Sequence, residues 1–197
     1  MNPTPDFSSD IKDQIITAGR SIFARYGFQK TTMDDIAHAA RKGKSSLYHY
    51  FKSKEEIFKA VIAKEAGELK AEIENVIARE TDSQKKLRAY ILTRMQALHR
   101  LANLYSTFQN EYLESHRFIE ELRQEYDQYE IGVFKQILHG GIEGGVFQLR
   151  DLDLTAYAMM IAMKGLEYQW AIAQDQQLIE KSVDSLLEVF FIGILKR

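Results

Sequence analysis

The chain is expected to be all-α, and three features of its sequence say so. Its two prolines stand at positions 3 and 5, so everything from Asp6 to Arg197 lacks the residue that deletes a backbone donor and breaks helices. Apolar residues recur at spacings of three and four, the period that lines one face of a helix. Glycines and capping Ser, Thr or Asp residues punctuate that pattern as stop and start signals. About nine helices are expected.

The first helix is expected to start from Ser8 or Ser9 and to carry the stripe Ile11, Ile15, Ala18, Ile22, Phe23 and Tyr26, with Gly27 ending it. Thr32 then stands as an N-cap with Asp35 three residues on, and Asp34 and Asp35 fill a first turn where the helix dipole favours negative charge. Met33, Ile36, Ala37 and Ala40 fall on one face of this short second helix. In Arg41-Lys42-Gly43 the glycine supplies backbone angles closed to other residues and is expected to make the turn. A third helix, Lys44 to Tyr50, puts Leu47 and, four on, Phe51 inward and leaves Lys44, Ser45, Ser46, Tyr48 and His49 on its other sides. Seven residues cannot hold a helix alone in water, so its neighbours must pin it while its outer face meets something else. Two short helices joined by a tight turn, the second lined with Lys, Ser, Tyr and His, have the composition of a helix-turn-helix whose second helix enters the major groove of duplex DNA.

Charge is distributed to match. Residues 1–54 hold nine Lys or Arg against five Asp or Glu, whereas the whole chain has 26 against 28 and a net charge of −2. From Arg41 to Lys54 there are five basic side chains and no carboxylate. A basic head on an acidic body suits one focused DNA contact rather than general polyanion binding.

The run from Ile15 to Val61 resembles the N-terminal domain of the TetR (tetracycline repressor) family of transcriptional regulators. The matching pieces, in order, are Ala18 with Phe23, Tyr26-Gly27-Phe28, Thr31-Thr32, Ile36-Ala37, Ala40, Leu47-Tyr48, Tyr50-Phe51 and Lys54-Glu55-Glu56. One departure stands out: where the family usually has a glycine directly after the alanine, this chain has Arg41, with Gly43 two residues later. The resemblance implies that Lys44, Ser45 and Ser46 start the recognition helix, that Tyr48 and His49 contact backbone or bases, and that Thr32 and Lys54 hold phosphates. Arg41 becomes an additional candidate phosphate contact.

Ser53 and Glu56 read as a capping box opening a fourth helix, in which Ile57, Phe58, Val61 and Ile62 give way to a charged length ending near Arg79. The division expected is therefore a DNA-binding domain over residues 1–54, a bridge over 54–79, and a regulatory and dimerisation domain over 55–197. From Asp82 the stripe Leu87, Ile91, Met95, Leu98, Ala102 and Tyr105 marks another helix, with a break near Asn103 and a shorter segment holding Tyr105, Phe108 and Tyr112. The next runs from about His116 to Gly141 and closes on Gly140-Gly141 and Gly144-Gly145, which reads as a helix end and not as a phosphate loop, since no following Gly-Lys-Ser is present. Asp153 is expected to cap a helix through about Gln174 in which Ala156 to Met163 is apolar all round. The last helix, about Gln176 to Leu195, carries Ile179, Val183, Leu186, Leu187, Phe190 and Ile194.

Those last two helices have more apolar surface than one chain can cover, which predicts a homodimer through a four-helix interface. The resemblance implies the same pairing. Two recognition helices about 34 Å apart can then read successive turns of one palindromic operator. Relatives of this kind commonly sense a small molecule among the fifth to eighth helices, and the candidates here are Tyr90, Arg94, Phe108, Tyr112, Tyr126, Met163 and Trp170. Arg94, between Ile91 and Leu98, offers an inward charge for an anionic ligand.

Other classes find less support. With no cysteine there is no disulfide, thiolate metal site or thiol chemistry. The five histidines make no H-E-x-x-H, and His116 with Glu120 gives at most two ligands on a polar face, so neither a metal nor a cofactor is expected. Gly43-Lys44-Ser45 lacks the second glycine and the preceding strand of a nucleophile elbow. The polar N-terminus has no apolar core of a signal peptide. The longest uncharged apolar run, Leu154 to Met163, falls short of the 18 or so residues of a membrane span, so a cytoplasmic location is expected. The expected function is a ligand-responsive repressor; the alternatives are a helical adaptor controlled by a protein partner, or a small helical enzyme carrying a DNA-binding head.

Overall fold

A computed structural model describes residues 7–101, 117–172 and 176–194. Among them are eight helices and no strand: α1 Phe7–Lys30, α2 Met33–Ala39, α3 Lys44–Tyr50, α4 Lys54–Arg79, α5 Ser83–Arg100, α6 Arg117–Glu143, α7 Leu152–Ile172 and α8 Gln176–Ile194. The short segment expected around Tyr105, Phe108 and Tyr112 lies outside the described residues. These residues form two compact units, one through Gly67 and one from Glu68 onward.

In the first unit α1 starts at Phe7, so Ser8 and Ser9 lie within it and do not cap it. Gly27 does not end the helix but kinks it: with φ 77° and ψ 162° it steps out of helical geometry, and a last piece continues to Lys30. The kink turns Phe28 inward, where its ring meets Phe58 at 4.8 Å and Phe23 at 6.0 Å, while Phe23 and Phe58 pack edge to face at 4.9 Å. Gly19 lets α1 come close to α4, since a Cβ there would stand 2.7 Å from Ile57 Cγ2. Around these lie Ile15, Ile36, Leu47, Phe51, Val61 and Ile62, all buried. Leu47, with no exposed surface, contributes roughly 1.5–3 kcal/mol by burial, which is what a seven-residue helix cannot supply for itself. At the start of α4 the capping box is displaced by one residue: Ser53 Oγ accepts from the Glu56 N–H at 3.4 Å, but the Glu56 carboxylate reaches back to the Lys52 N–H at 2.8 Å.

In the second unit Asp82 caps α5, accepting from the N–H groups of Gln84 (2.7 Å) and Lys85 (3.1 Å). α6 ends as its glycines foretell. Gly145 takes φ +69°, Val146 N–H bonds to Gly141 O at 2.8 Å and Gly145 N–H to Ile142 O at 3.0 Å, the paired closure of a Schellman turn. Gly141 is needed for a second reason: the Phe147 ring lies over it, and a Cβ would come within 2.1 Å. The cap of α7 is Asp151 and not Asp153; its carboxylate accepts from the Leu154 N–H at 2.9 Å. Asp153 instead pairs with Lys135 from the first turn, at 2.6 Å. Ala156, Met159, Met160 and Met163 of α7 and Ile179, Val183 and Leu187 of α8 are buried. Their other faces leave Leu154, Tyr157 and Ile161, then Leu178, Leu186, Val189 and Ile192, exposed. Among the described residues no helix is long and apolar enough to cross a membrane.

Candidate functional site

The first unit builds a polar surface from α2, the turn after it, and α3. Thr32 and Asp35 form a full capping box: Thr32 Oγ1 accepts from the Asp35 N–H at 3.2 Å, and Asp35 Oδ2 accepts from the Thr32 N–H at 2.8 Å and its hydroxyl at 2.6 Å. The hydroxyl first, and then the backbone donor, hold the Asp35 carboxyl below its ordinary range. A depressed carboxyl stabilises above its unfolded value and stops doing so as pH falls through the folded one, so the start of α2 loosens only in acid below about pH 4.

The turn differs from the expectation. Gly43 does not supply the unusual angles; it sits at φ −69° and ψ 150° as the N-cap of α3. The left-handed residue is Arg41, at φ 53°. Its N–H bonds to His38 O at 3.1 Å and the Lys42 N–H to Ala37 O at 3.0 Å, a second Schellman turn with arginine where Gly145 stands in the first. The Schellman closure that stops α2 at Ala40 puts the next residue at positive φ, whichever side chain stands there. Arg41→Gly is therefore expected to stabilise the unit by up to about 1 kcal/mol in chemical denaturation, the relief of left-handed strain being partly offset by a more flexible unfolded chain.

α3 is held by Leu47 and by Phe51 at its C-cap, both buried. Lys44, Ser45, Tyr48 and His49 are exposed, Tyr48 by 45%, whereas Ser46 and Tyr50 are half-buried. The His49 ring meets that of Tyr50 edge-on at 5.1 Å. Lys44 Nζ is held by Asp34 of α2, at 2.8 Å from one carboxylate oxygen and 3.0 Å from the other, and this bonded partner raises the Lys44 ammonium above its usual range. The ion pair ties the first residue of α3 to the first turn of α2.

Lys54 is corrected. Its ammonium has three donors, and they go to the carbonyls of Phe28 (2.9 Å), Thr31 (3.1 Å) and Gln29 (3.2 Å), with the nitrogen also 4.6 Å from the centre of the Phe28 ring. The α1 segment beyond Gly27 leaves carbonyls without helical partners, and Lys54 satisfies them. Its side chain pins α4 to the end of α1 and does not project toward a phosphate.

In the second unit, Tyr90, Arg94, Tyr126 and Met163 are buried. Phe108, Tyr112 and the side chain of Trp170 lie outside the described residues. Arg94 does point inward, but its charge is not available to an anionic ligand, because Glu130 takes it through Nε and, at 3.3 Å, through Nη2. The Tyr90 hydroxyl donates to the same carboxylate at 2.5 Å. Burial, followed by the negative charge of Glu130, pushes the Tyr90 hydroxyl well up, so it stays protonated as a donor. Sequence reading missed Glu130, although a signal existed: it is four residues after Tyr126 and three before Val133, on the inward face of α6.

A cleft of about 490 Å³ between α4, α5 and α6 was also missed; Ile73, Ile77 and Val133 form apolar walls, with Glu74, Lys86 and Tyr129 at its polar positions. The Tyr129 hydroxyl is buried without a hydrogen-bond partner among the described residues. Burial, then Glu74 and Glu130, raise it to about 12.

Residues 15–61, which include the capping box, the Arg41 turn and α3, match the family model described as bacterial regulatory proteins, tetR family. The N-terminal segment therefore matches the tetR family. It is similar along most of its length to the uncharacterized HTH-type transcriptional regulator YhgD of Bacillus subtilis, with 25% identity over 94% of this chain and 96% of that protein. It is also similar to the HTH-type transcriptional repressor KstR2 of Rhodococcus jostii, with 28% identity over 78% of each. A crystal structure of a transcriptional regulator from Cytophaga hutchinsonii superposes with a TM-score of 0.75 at 26% identity, covering 93% of this chain and 98% of that one. The departure at Arg41 leaves the turn intact and puts a side chain at its left-handed position.

Proposed function

We propose that two copies of this chain bind one palindromic operator as a cytoplasmic TetR-family repressor and release it when a small molecule occupies the regulatory unit. The functional division is residues 1–54 for DNA, a bridge over 54–79, and 55–197 for regulation and pairing. The observation that carries the reading is α3: its buried Leu47 anchors a helix whose exposed side offers Lys44, Ser45, Tyr48 and His49 and no carboxylate of its own. Repression is favoured over activation by the similarity to a protein named as a repressor. Selection of duplexes from a randomised library by the purified protein tests it. An inverted repeat should be enriched, and log affinity should fall steeply with log salt because phosphate contacts supply much of the affinity. Failure to enrich any sequence rejects the proposal.

Pairing is assigned to the outward faces of α7 and α8. Phe190, the aromatic expected at that interface, is half-buried, whereas Val189 is 71% and Ile192 65% exposed. Val189→Asp combined with Ile192→Asp is expected to give a monomer in sedimentation and, through loss of the second half-site contact, at least a hundredfold weaker operator binding. A dimer surviving both changes rejects the interface.

The cleft beside Tyr129 is the effector site this reading favours. Ile73, Ile77 and Val133 suit an apolar body, with Glu74 and Lys86 as polar positions beside it.

A further inference from the structure

We infer that Asp34 is a specificity-determining residue of the DNA interface: its carboxylate holds Lys44 in the place a backbone phosphate would take, restraining the lysine from DNA in general. The inference rests on the DNA-binding reading above and concerns what that reading leaves unexplained. From Arg41 to Lys54 the basic tract has no carboxylate, so any local restraint on it must come from another element. Two carboxylates stand in the first turn of α2, and they have different jobs. Asp35 is committed to the capping box with Thr32. Asp34 takes no part in that box, and both its oxygens meet the Lys44 ammonium across the turn. The helix dipole explains why an acid is welcome at the start of α2, but not why this one grips the lysine of the next helix.

Carboxylate and phosphate oxygens offer an ammonium the same charge-assisted hydrogen bonds. When Lys44 leaves Asp34 for a phosphate, it exchanges one such partner for another and exposes an uncompensated negative charge to a polyanion. Its net contribution to sequence-independent binding is thereby cancelled. A base-edge acceptor presents a different balance. Lys44 has three N–H bonds and Asp34 offers two oxygens, so a third donor remains for an acceptor in the major groove while the carboxylate keeps the side chain aimed. The ion pair thus suppresses contacts that any duplex offers and retains one that only a correctly placed base can make.

The test compares wild type, Asp34→Asn, Lys44→Ala and the double variant on two probes: a 30-base-pair duplex of random sequence and the duplex enriched from the library. Asp34→Asn should bind random duplex roughly tenfold tighter, with a salt slope steeper by about one per recognition helix, and the ratio of enriched to random affinity should fall about tenfold. Asp34→Glu should behave as wild type. In the Lys44→Ala background the Asp34→Asn change should lose most of its effect, because it acts through the lysine. An unchanged ratio and slope would overturn the inference by marking the pair as a solvated surface contact, and so would an undiminished effect without Lys44. Thermal unfolding of each variant separates these outcomes from damage to α2. If wild type enriches no duplex, the DNA-binding reading itself fails and takes this inference with it; enrichment with an unmoved ratio sinks the inference alone.

Discussion

Glu130→Ala is expected to destabilise the second unit by about 3–5 kcal/mol, a large share of the roughly 5–15 kcal/mol that holds a domain folded. Glu130 has no exposed surface and Arg94 only 3%, so removing the carboxylate leaves a buried guanidinium without its countercharge and the Tyr90 hydroxyl without its acceptor. The cost comes from desolvation, not from the attraction lost, and that distinction is testable. Glu130→Leu together with Arg94→Met and Tyr90→Phe removes the polar groups as a set and should recover most of the stability, because no buried charge or donor is stranded. Guanidinium denaturation followed by circular dichroism on the single and triple variants measures both. A Glu130→Ala cost below about 1 kcal/mol would mean that the cluster is hydrated and that Arg94 is available to a ligand after all.

The same cluster marks where the sequence was legible and where it was not. Local signals transferred well: Thr32 with Asp35 and the glycines after Ile142 each specify a cap whose hydrogen bonds close within a few residues. Exact positions were harder to read. The expected cap of the helix is Asp153, but the cap falls two residues earlier, at Asp151. Ser53 likewise shares its box with Lys52. The Arg41 turn misled because glycine is the usual left-handed residue, and the preference of Gly43 was outweighed by where α2 runs out. What no periodicity could supply was pairing between distant residues. Arg94 was correctly placed inward, but its partner lies 36 residues away on α6, and Lys54 reaches carbonyls 23 to 26 residues back. Both misreadings share a cause: a basic side chain was assigned to an external anion when the fold already held an internal acceptor for it.

Among the described residues, those proposed to meet DNA have no such internal backbone acceptors and are expected to respond differently. Lys44→Ala combined with Tyr48→Ala should lower affinity for the enriched duplex on the order of a thousandfold, to the level of random DNA, while the dimer and its melting temperature stay unchanged. Both side chains are exposed and the helix is held from its other side by Leu47, so truncation takes away contacts without opening the core. Removing Lys44 also strips Asp34 of its cation and leaves a carboxylate facing the phosphates, so the loss should exceed that from another exposed lysine of the unit, such as Lys30. Leu47→Ala provides the contrast. It should cost about 2–5 kcal/mol of stability and lose DNA binding by releasing α3, with melting and binding falling together. Gel shift and fluorescence anisotropy, read beside sedimentation, distinguish the two routes. A folded dimeric double variant that holds its duplex at wild-type affinity would show that DNA meets some surface other than α3.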